Sequence, residues 1–535
     1  MNRTLFNWCQ AGVFLSFLLQ FSSCQLTKAY TPPCTIVPDN WKNESEQIIS
    51  NVSADLTSND ENTNGKEVIK NLNIQSRCDA IKDLKNWWEI FEDSILNQLE
   101  EEALVYNYDL KAAFERVVEA RNLALISQSP LYPYVNFSPS YQRTQMLILS
   151  PLSLPSSATT ATTGTTPLQS NLSSTSTSNH GLPKNVLRFL NSEYLLPFNF
   201  QYEVDLWNKL HNTYYSAVYR EQAATEEYYQ VLLSLTSDLA KNYFLLRDLD
   251  FQYEIVAKTL EARRKAFEIN RDRYEAGLLN YLDVSRAEVQ VSNAEADQAN
   301  IKRLRGVQEN IIATLTGSPA SEFYLSFDPI HTPPPQIPVG LPSELLTRRP
   351  DVVAAERLIA AAYAEIGAAY ADFFPSLNLT ASLGLESPIS SLLFNWKARM
   401  WQIAANAMQL VFDAGRTQAN LELTQARFRE QVNSYQQTVL SAFQEVEDAL
   451  INLKERAEQA KALKKSVKYA QQTYDLSYFR YNQGLVTYLD VTDAERELLQ
   501  ARQNFALVLG ERYVHTVALI EALGGGWDNM PQPIE

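Results

Sequence analysis

The chain has 535 residues, 45% of them hydrophobic, a globular proportion, and size alone would allow three or four ordinary domains. Its 46 Lys and Arg stand against 62 Asp and Glu, a net charge of −16. That balance speaks against a partner nucleic acid, because a sequence-independent binder needs cationic surface to displace counterions from phosphates. The histidines His180, His211, His331 and His515 are scattered, and no HExxH, paired CxxC, P-loop or GxGxxG occurs, so no metal, cofactor or catalysis is expected.

Residues 1–23 read as an export signal: Arg3, an apolar run from Ala11 to Leu19, then Ser22-Ser23 before Cys24. The run is shorter than the roughly 20 apolar residues that a spanning helix needs. Small residues before Cys24 are similar to a bacterial lipobox, in which that Cys becomes the lipidated start of the mature chain. Phe21 stands where Leu is usual, and ordinary cleavage would leave Cys24 a plain thiol. Cys34 and Cys78 are equally consistent with a disulfide and with two free thiols. Residues 24–85, acidic and Asn/Ser-rich from Asn43 to Gly65, predict an extended tether without a core. No later segment is apolar enough for a transmembrane helix.

From residue 86 the pattern becomes helical. A helix is predicted over Asp93–Gln128, ending at Tyr132-Pro133, and apolar Val135 and Phe137 at every second position predict a strand. A Ser/Thr-rich segment from Ser150 to Asn185 suits a solvated loop, and a second strand is predicted near Tyr194–Asp205. The 71 residues from Leu206 to Ala276 contain neither Gly nor Pro. As one helix they would be roughly 100 Å long, too long for a globular domain and suited to a coiled coil or a tall barrel of helices. The chain then turns at Gly277 and returns to about Leu315; residues 318–342 read as a linker.

The same grammar recurs in residues 343–524. A helix over Ser343–Asp372 ends at Phe374-Pro375, and Leu377, Leu379, Ala381 and Leu383 alternate as a strand. A second strand is predicted over Met400–Phe412, a 68-residue Gly- and Pro-free helix over Arg416–Gln483, a turn at Gly484 and a return to Leu523. Pro350-Asp351 suits helix initiation, and Gly524-Gly525-Gly526-Trp527 follows a helix, so it ends one rather than cradling phosphate. Residues 525–535 form a tail. Shifted by 207, Arg273–Glu288 falls on Arg480–Glu495 with 10 of 16 positions identical, so the chain is a tandem duplication with repeats at 86–317 and 343–524. Four strands cannot close a membrane barrel, and lipid does not tolerate an open sheet edge. Three chains would supply twelve strands around a water-filled lumen, with a barrel of helices continuing it.

The chain resembles the outer-membrane factors of tripartite efflux pumps, the TolC/OprM-like lipoprotein channels of NodT type. The resemblance rests on Cys24…Tyr30-x-x-Pro33, Asn86-Trp-Trp-x-x-Phe91-x-Asp93, Asp205-Leu-Trp207, Gly340-Leu-Pro-Ser-Glu-Leu-Leu-Thr-Arg-Arg-Pro-Asp351, Phe373-Phe-Pro-Ser376, Ala414-Gly415 and Ala522-Leu-Gly-Gly-Gly-Trp527, in that order. Relatives usually carry Gly at the position of Asn208, the next best residue for a left-handed turn. The resemblance implies a homotrimer that is mainly α with β: a 12-stranded outer-membrane β-barrel, four strands per chain, continued by a periplasmic α-helical barrel. It further implies a lipid anchor at Cys24 in the outer-membrane lipid, and export of small molecules with a periplasmic adaptor and an inner-membrane RND-type transporter as partners. It places a periplasmic gate at Leu489, Asp490 and Asp493, with Asp283 and Arg286 beside it, and adaptor contacts at the Gly277 and Gly484 turns.

Asp490 and Asp493 lie three apart on a helix, so threefold symmetry would set them in carboxylate rings. Two such charges about 6 Å apart repel by roughly 3 kcal/mol at an effective dielectric of 20. Each of these charges also fits an ordinary solvated helix face, Leu489 fits helix packing, and the Gly turns fit as mere turns. Relatives' basic latch residue two positions after Gly is absent here, where Leu279 and Val486 stand. Other functions compatible with the chain are the channel of a type I protein secretion system and, in another class, a surface-anchored coiled-coil adhesin or scaffold. Apolar alternation after Pro133 and Pro375 argues against the latter. No nucleophile, base and orienter set for a hydrolase can be assembled from four scattered histidines.

Overall fold

The structure, a computed structural model, describes residues 86–149, 186–337 and 345–525 together with Tyr30, Pro38 and Trp41. The signal segment, Cys24, Cys34, Cys78, the acidic stretch 43–65, the Ser/Thr-rich segment and the tail from Gly526 lie outside the described residues. In chain order the elements are α1 (Ser94–Tyr106), α2 (Tyr108–Gln128), β1 (Tyr134–Phe137), β2 (Ser140–Leu149), β3 (Val186–Val204), α3 (Lys209–Glu275) and α4 (Tyr281–Leu315). They continue as α5 (Pro350–Ala371), β4 (Ser376–Ser387), β5 (Arg399–Met408), α6 (Arg416–Asn482) and α7 (Tyr488–Ala522). The described residues form two compact units: a β unit from 128–211 and 371–414, and a helical unit from 86–127, 212–370 and 415–525.

In the helical hairpins the duplication is kept to the residue. Helices α3 and α6 are each 67 residues long, α4 and α7 each 35, and both ends of α6 and α7 lie 207 positions after those of α3 and α4. Three expectations need correction. The helix expected over Ser343–Asp372 is a short helix at Leu345–Arg348 followed, after Arg349, by α5 from Pro350, because Pro starts a helix rather than continuing one. The single helix over Asp93–Gln128 is interrupted at Asn107, whose backbone is extended (φ −62°, ψ 129°) and whose Oδ1 accepts from Leu110 N at 2.9 Å. Asn competes with the helix for its own backbone bonds and so starts a new one. The second strand of the first copy also begins earlier, at Val186, because it forms a long hairpin with β2, whose mixed composition Ser-Tyr-Gln-Arg-Thr-Gln hides the alternation.

Within the β unit the sheet is antiparallel. Strands β1 and β2 both pair with β3, β3 pairs with β4 and β4 with β5, which leaves a width of four strands. The two repeats meet beside it: the Trp207 ring stacks on Phe374 at 4.7 Å, and Trp207 Nε1 donates to Pro375 O at 2.8 Å. Asn208 is left-handed at φ 57°, so the turn that relatives make with Gly is kept.

Within the helical unit, Trp87, Trp88, Leu96, Tyr243, Phe244, Tyr513 and Val517 pack into one core, with Phe91 and Phe244 rings 4.7 Å apart. Tether residues dock onto this unit: Trp41 packs with Leu345, Val446 and Leu519, and Tyr30 with Val352 and Ile359. A buried ionic clamp holds the linker. Arg247 Nη1 donates to Ser326 O at 2.6 Å, and Arg305 Nη2 to Leu325 O at 2.8 Å. Asp250, fully buried, accepts from Arg247, Arg305 and Asp328 N. Arg349 forks onto Asp351 at 3.0 and 2.7 Å and reaches Glu445 Oε2 and Ala522 O, so the Arg-Arg-Pro-Asp segment is a structural joint.

Candidate functional site

The strand register sorts the sheet into two chemically different faces. One row crosses all four strands as Phe137–Phe198–Leu383–Trp401, and the next but one as Val135–Phe200–Ala381–Ile403. The row between them, whose side chains point to the other face, is Asn136–Asn199–Ser382–Gln402. Its members bond one another: Asn199 Nδ2 donates to Asn136 Oδ1 at 2.9 Å, and Ser382 Oγ to Asn199 Oδ1 at 3.0 Å. Large apolar groups lie bare on the other face, Trp401 at 72% and Ile403 at 77% exposure. One apolar and one polar face is the pattern of a barrel wall between lipid and water. Among the described residues no helix is long and apolar enough to cross a membrane, so the sheet is the segment that suits lipid.

The two Gly turns are built identically. Leu278 N donates to Arg273 O at 2.8 Å and Gly277 N to Tyr274 O at 2.9 Å; Leu485 and Gly484 make the same pair to Arg480 and Tyr481 at 3.0 and 2.9 Å. This double bond pattern needs a left-handed residue, and φ is 74° at Gly277 and 72° at Gly484. Beside these turns Leu278, Leu282, Leu485 and Tyr281 are exposed.

The gate residues anticipated from sequence fall on the first two turns of α4 and α7. Thr487 N and Oγ1 donate to Asp490 Oδ2 at 2.9 and 2.7 Å, a capping-box arrangement. Those bonds, with Arg480 nearby, hold the Asp490 carboxyl below the ordinary carboxylate range. Asp493 pairs with Arg496 at 2.7 Å, and Arg286 with Asp283 at 3.6 Å. The structure thus brings Asp283 and Arg286 together, while within one chain Arg286 makes no ion pair with Asp490 or Asp493. Leu489 is exposed.

Sequence reading missed what ties the two hairpins to each other. Arg263 Nε donates to Glu495 Oε1 at 3.0 Å, Tyr481 Oη donates to Asn270 Oδ1 at 3.1 Å, and the Arg273 guanidinium lies 5.7 Å over the Tyr481 ring. Burial raises the Glu495 carboxyl and the Arg263 charge works against it. Arg263 faces Ala470 in the repeat register, so a comparison of the copies marks it as a residue of one copy alone.

A two-faced sheet with bare apolar rows, joined in one chain to paired 67-residue helices, defines the class: a channel-forming outer-membrane protein. The model of the family described as outer membrane efflux protein matches residues 99–318 and 341–525. The chain belongs to that family. It is 30% identical over 451 residues, 84% of this chain and 87% of the relative, to the probable efflux pump outer membrane protein SepC of Pseudomonas putida strain F1. It is 30% identical, over 82% and 88% of the two chains, to the cation efflux system protein CusC of Escherichia coli O6:H1. Its fold matches the solved outer-membrane channel OprN with a TM-score of 0.76 at 26% identity, over 94% of this chain and all of that one. The protein is therefore the outer-membrane exit channel of an efflux system, a transport protein of a kind that forms trimers and works in tripartite pumps.

Proposed function

We propose that the chain is one third of a homotrimeric, passive duct. It receives small organic molecules from an inner-membrane RND-type transporter through a periplasmic adaptor and releases them outside the cell without any catalytic step. The observation that carries this reading is the sheet: four strands wide, two-faced, with β5 and the β1/β2 side unpaired among the described residues. Unpaired strand edges do not survive in lipid, so further copies must complete the wall. Relatives named for toluene, solvent and antibiotic efflux support small organic cargo. In this reading the Gly277 and Gly484 turns meet the adaptor, a lipid on Cys24 anchors the mature chain, and Leu489, Asp490, Asp493, Asp283 and Arg286 line the gate.

Single-channel recording in a planar bilayer tests the gate. The wild type should conduct with cation preference, and Asp490→Ala combined with Asp493→Ala should weaken that preference and change the conductance. Unchanged selectivity would remove both carboxylates from the gate.

A further inference from the structure

We propose that the chain meets its next copy through a surface already used once inside the chain, with Arg480 of one copy seated over Tyr274 and paired with Glu275 of the following copy. The proposal rests on the homotrimer reading above and specifies its seam.

Inside the chain, hairpin α3–α4 presents Arg263, Asn270 and Arg273 to hairpin α6–α7, which receives them with Glu495, Tyr481 and Asn482. Donor and receiver are different surfaces, so the contact is head-to-tail, and such contacts propagate from unit to unit until a ring closes. Because the second hairpin repeats the first at an offset of 207, it carries its own donor surface: Ala470, Ser477 and Arg480. The first hairpin likewise carries its own receiver surface: Tyr274, Glu275 and Glu288. Among the described residues neither surface receives the other hairpin within one chain.

Exposure records the difference. Tyr488, on the occupied receiver, is 5% exposed and packs with Val491 and Ala287, whereas its counterpart Tyr281 is 60% exposed. The ring pair is nevertheless preformed, with Tyr274–Tyr281 and Tyr481–Tyr488 centroids both 5.5 Å apart. Arg480 makes no ion pair within the chain among the described residues. Asp490 is the acid whose titration feels it, while Glu275 has only a 3.8 Å contact with Arg271.

The two seams would not be equal. Within the chain, Arg273 Nη2 donates to Asn482 Oδ1 at 3.4 Å, and the half-buried ring contact is backed by the Arg263–Glu495 pair. Between copies Glu275 replaces Asn482, turning that bond into an ion pair, but Ala470 replaces Arg263 and the backing is lost. An exposed ion pair contributes little and is screened by salt. The seams between copies are thus the lighter ones, and the tip opens along them.

The test uses the full-length protein in outer membranes. With Cys34 and Cys78 replaced by Ser, Arg480→Cys with Glu275→Cys, treated with a short bis-maleimide, should give covalent dimers and trimers, and each single variant in that background should give none. Arg273→Cys with Asn482→Cys should cross-link within one chain and give no ladder. In bilayers Arg480→Glu should raise the resting conductance about two- to fivefold, with Glu275→Arg added to it restoring the wild-type value. A protein that is trimeric by native mass, but shows neither ladder nor restoration, overturns the seam and leaves the trimer standing. A monomer by native mass overturns the trimer and the seam with it.

Discussion

Asp248 offers a quantitative probe of the helical interior. It sits on α3, 4% exposed, with one carboxylate oxygen accepting from Gln252 Nε2 at 2.7 Å and Oδ1 accepting nothing. Gly510 of α7 presses so close that a Cβ there would lie 2.6 Å from the Asp248 side chain. Burial, helped by the Glu511 charge and opposed by the Gln252 bond, pushes this carboxyl from its ordinary 3.8 up to about 7. Between those values the folded chain keeps a proton that the unfolded chain has released. Stability therefore falls as pH rises through that window and is level above it. A difference of about three pK units corresponds to about 4 kcal/mol per chain at most. Asp248→Asn keeps the shape and an acceptor for Gln252 but cannot ionise. Its unfolding midpoint in detergent should match wild type near about pH 4 and exceed it increasingly toward about pH 8. Parallel midpoint curves for the two proteins across that range would refute the buried, proton-holding carboxyl.

Three further outcomes follow from local geometry. Gly484→Ala, where φ is 72° and no atom lies within 4 Å of the added carbon, should cost only the backbone term, about 1–2 kcal/mol in unfolding experiments; if the turn contacts the adaptor, drug export should fall further than stability does. Arg349→Met strands Asp351 and the Ala522 carbonyl and should lower the unfolding free energy by about 3 kcal/mol, with Arg349→Lys recovering part of it because an ammonium cannot fork. Radiolabelled palmitate should enter the wild type but not Cys24→Ser, and label in both would sink the lipid anchor.

Much of this fold was legible because its signals are long and local. Stretches free of Gly and Pro from Leu206 and from Arg416 became α3 and α6 almost to the residue, and the turns expected at Gly277 and Gly484 follow them, with the left-handed backbone that Gly tolerates. The 207-residue offset fixed α4 and α7 as well. Strand β2 was not legible, since half its residues are polar and it gains its identity from pairing with β3. The break at Asn107 was missed for a similar reason: surrounding residues are good helix formers, and the deciding event is one side-chain bond to Leu110 N. At the tip, the sequence pointed to Asp490 and Asp493 as a pair, yet each carboxylate is tied to its own helix by Thr487 and Arg496. Those bonds are one turn away and depend on rotamers that spacing cannot supply.

The duplication preserves the backbone and varies the charges, and the variation has a direction. In the first copy Arg247, Asp250 and Arg305 bury an ionic clamp on the linker; the same register positions in the second copy are Lys454, Ala457 and Arg512, without the central carboxylate. Arg263 likewise has only Ala470 as its counterpart. Buried ion pairs contribute weakly to stability because desolvation offsets their attraction, but breaking one by removing a partner is expensive. Their consequence here is register: the first hairpin is held to the linker and to the second hairpin of its own chain by bonds that no other pairing of hairpins reproduces. Two identical halves would close into a ring with six equivalent seams, free to open at any of them. In the proposed trimer, divergence of a few charged positions would make three seams firm and three light, so a threefold opening at the tip would require no hinge beyond the seams themselves.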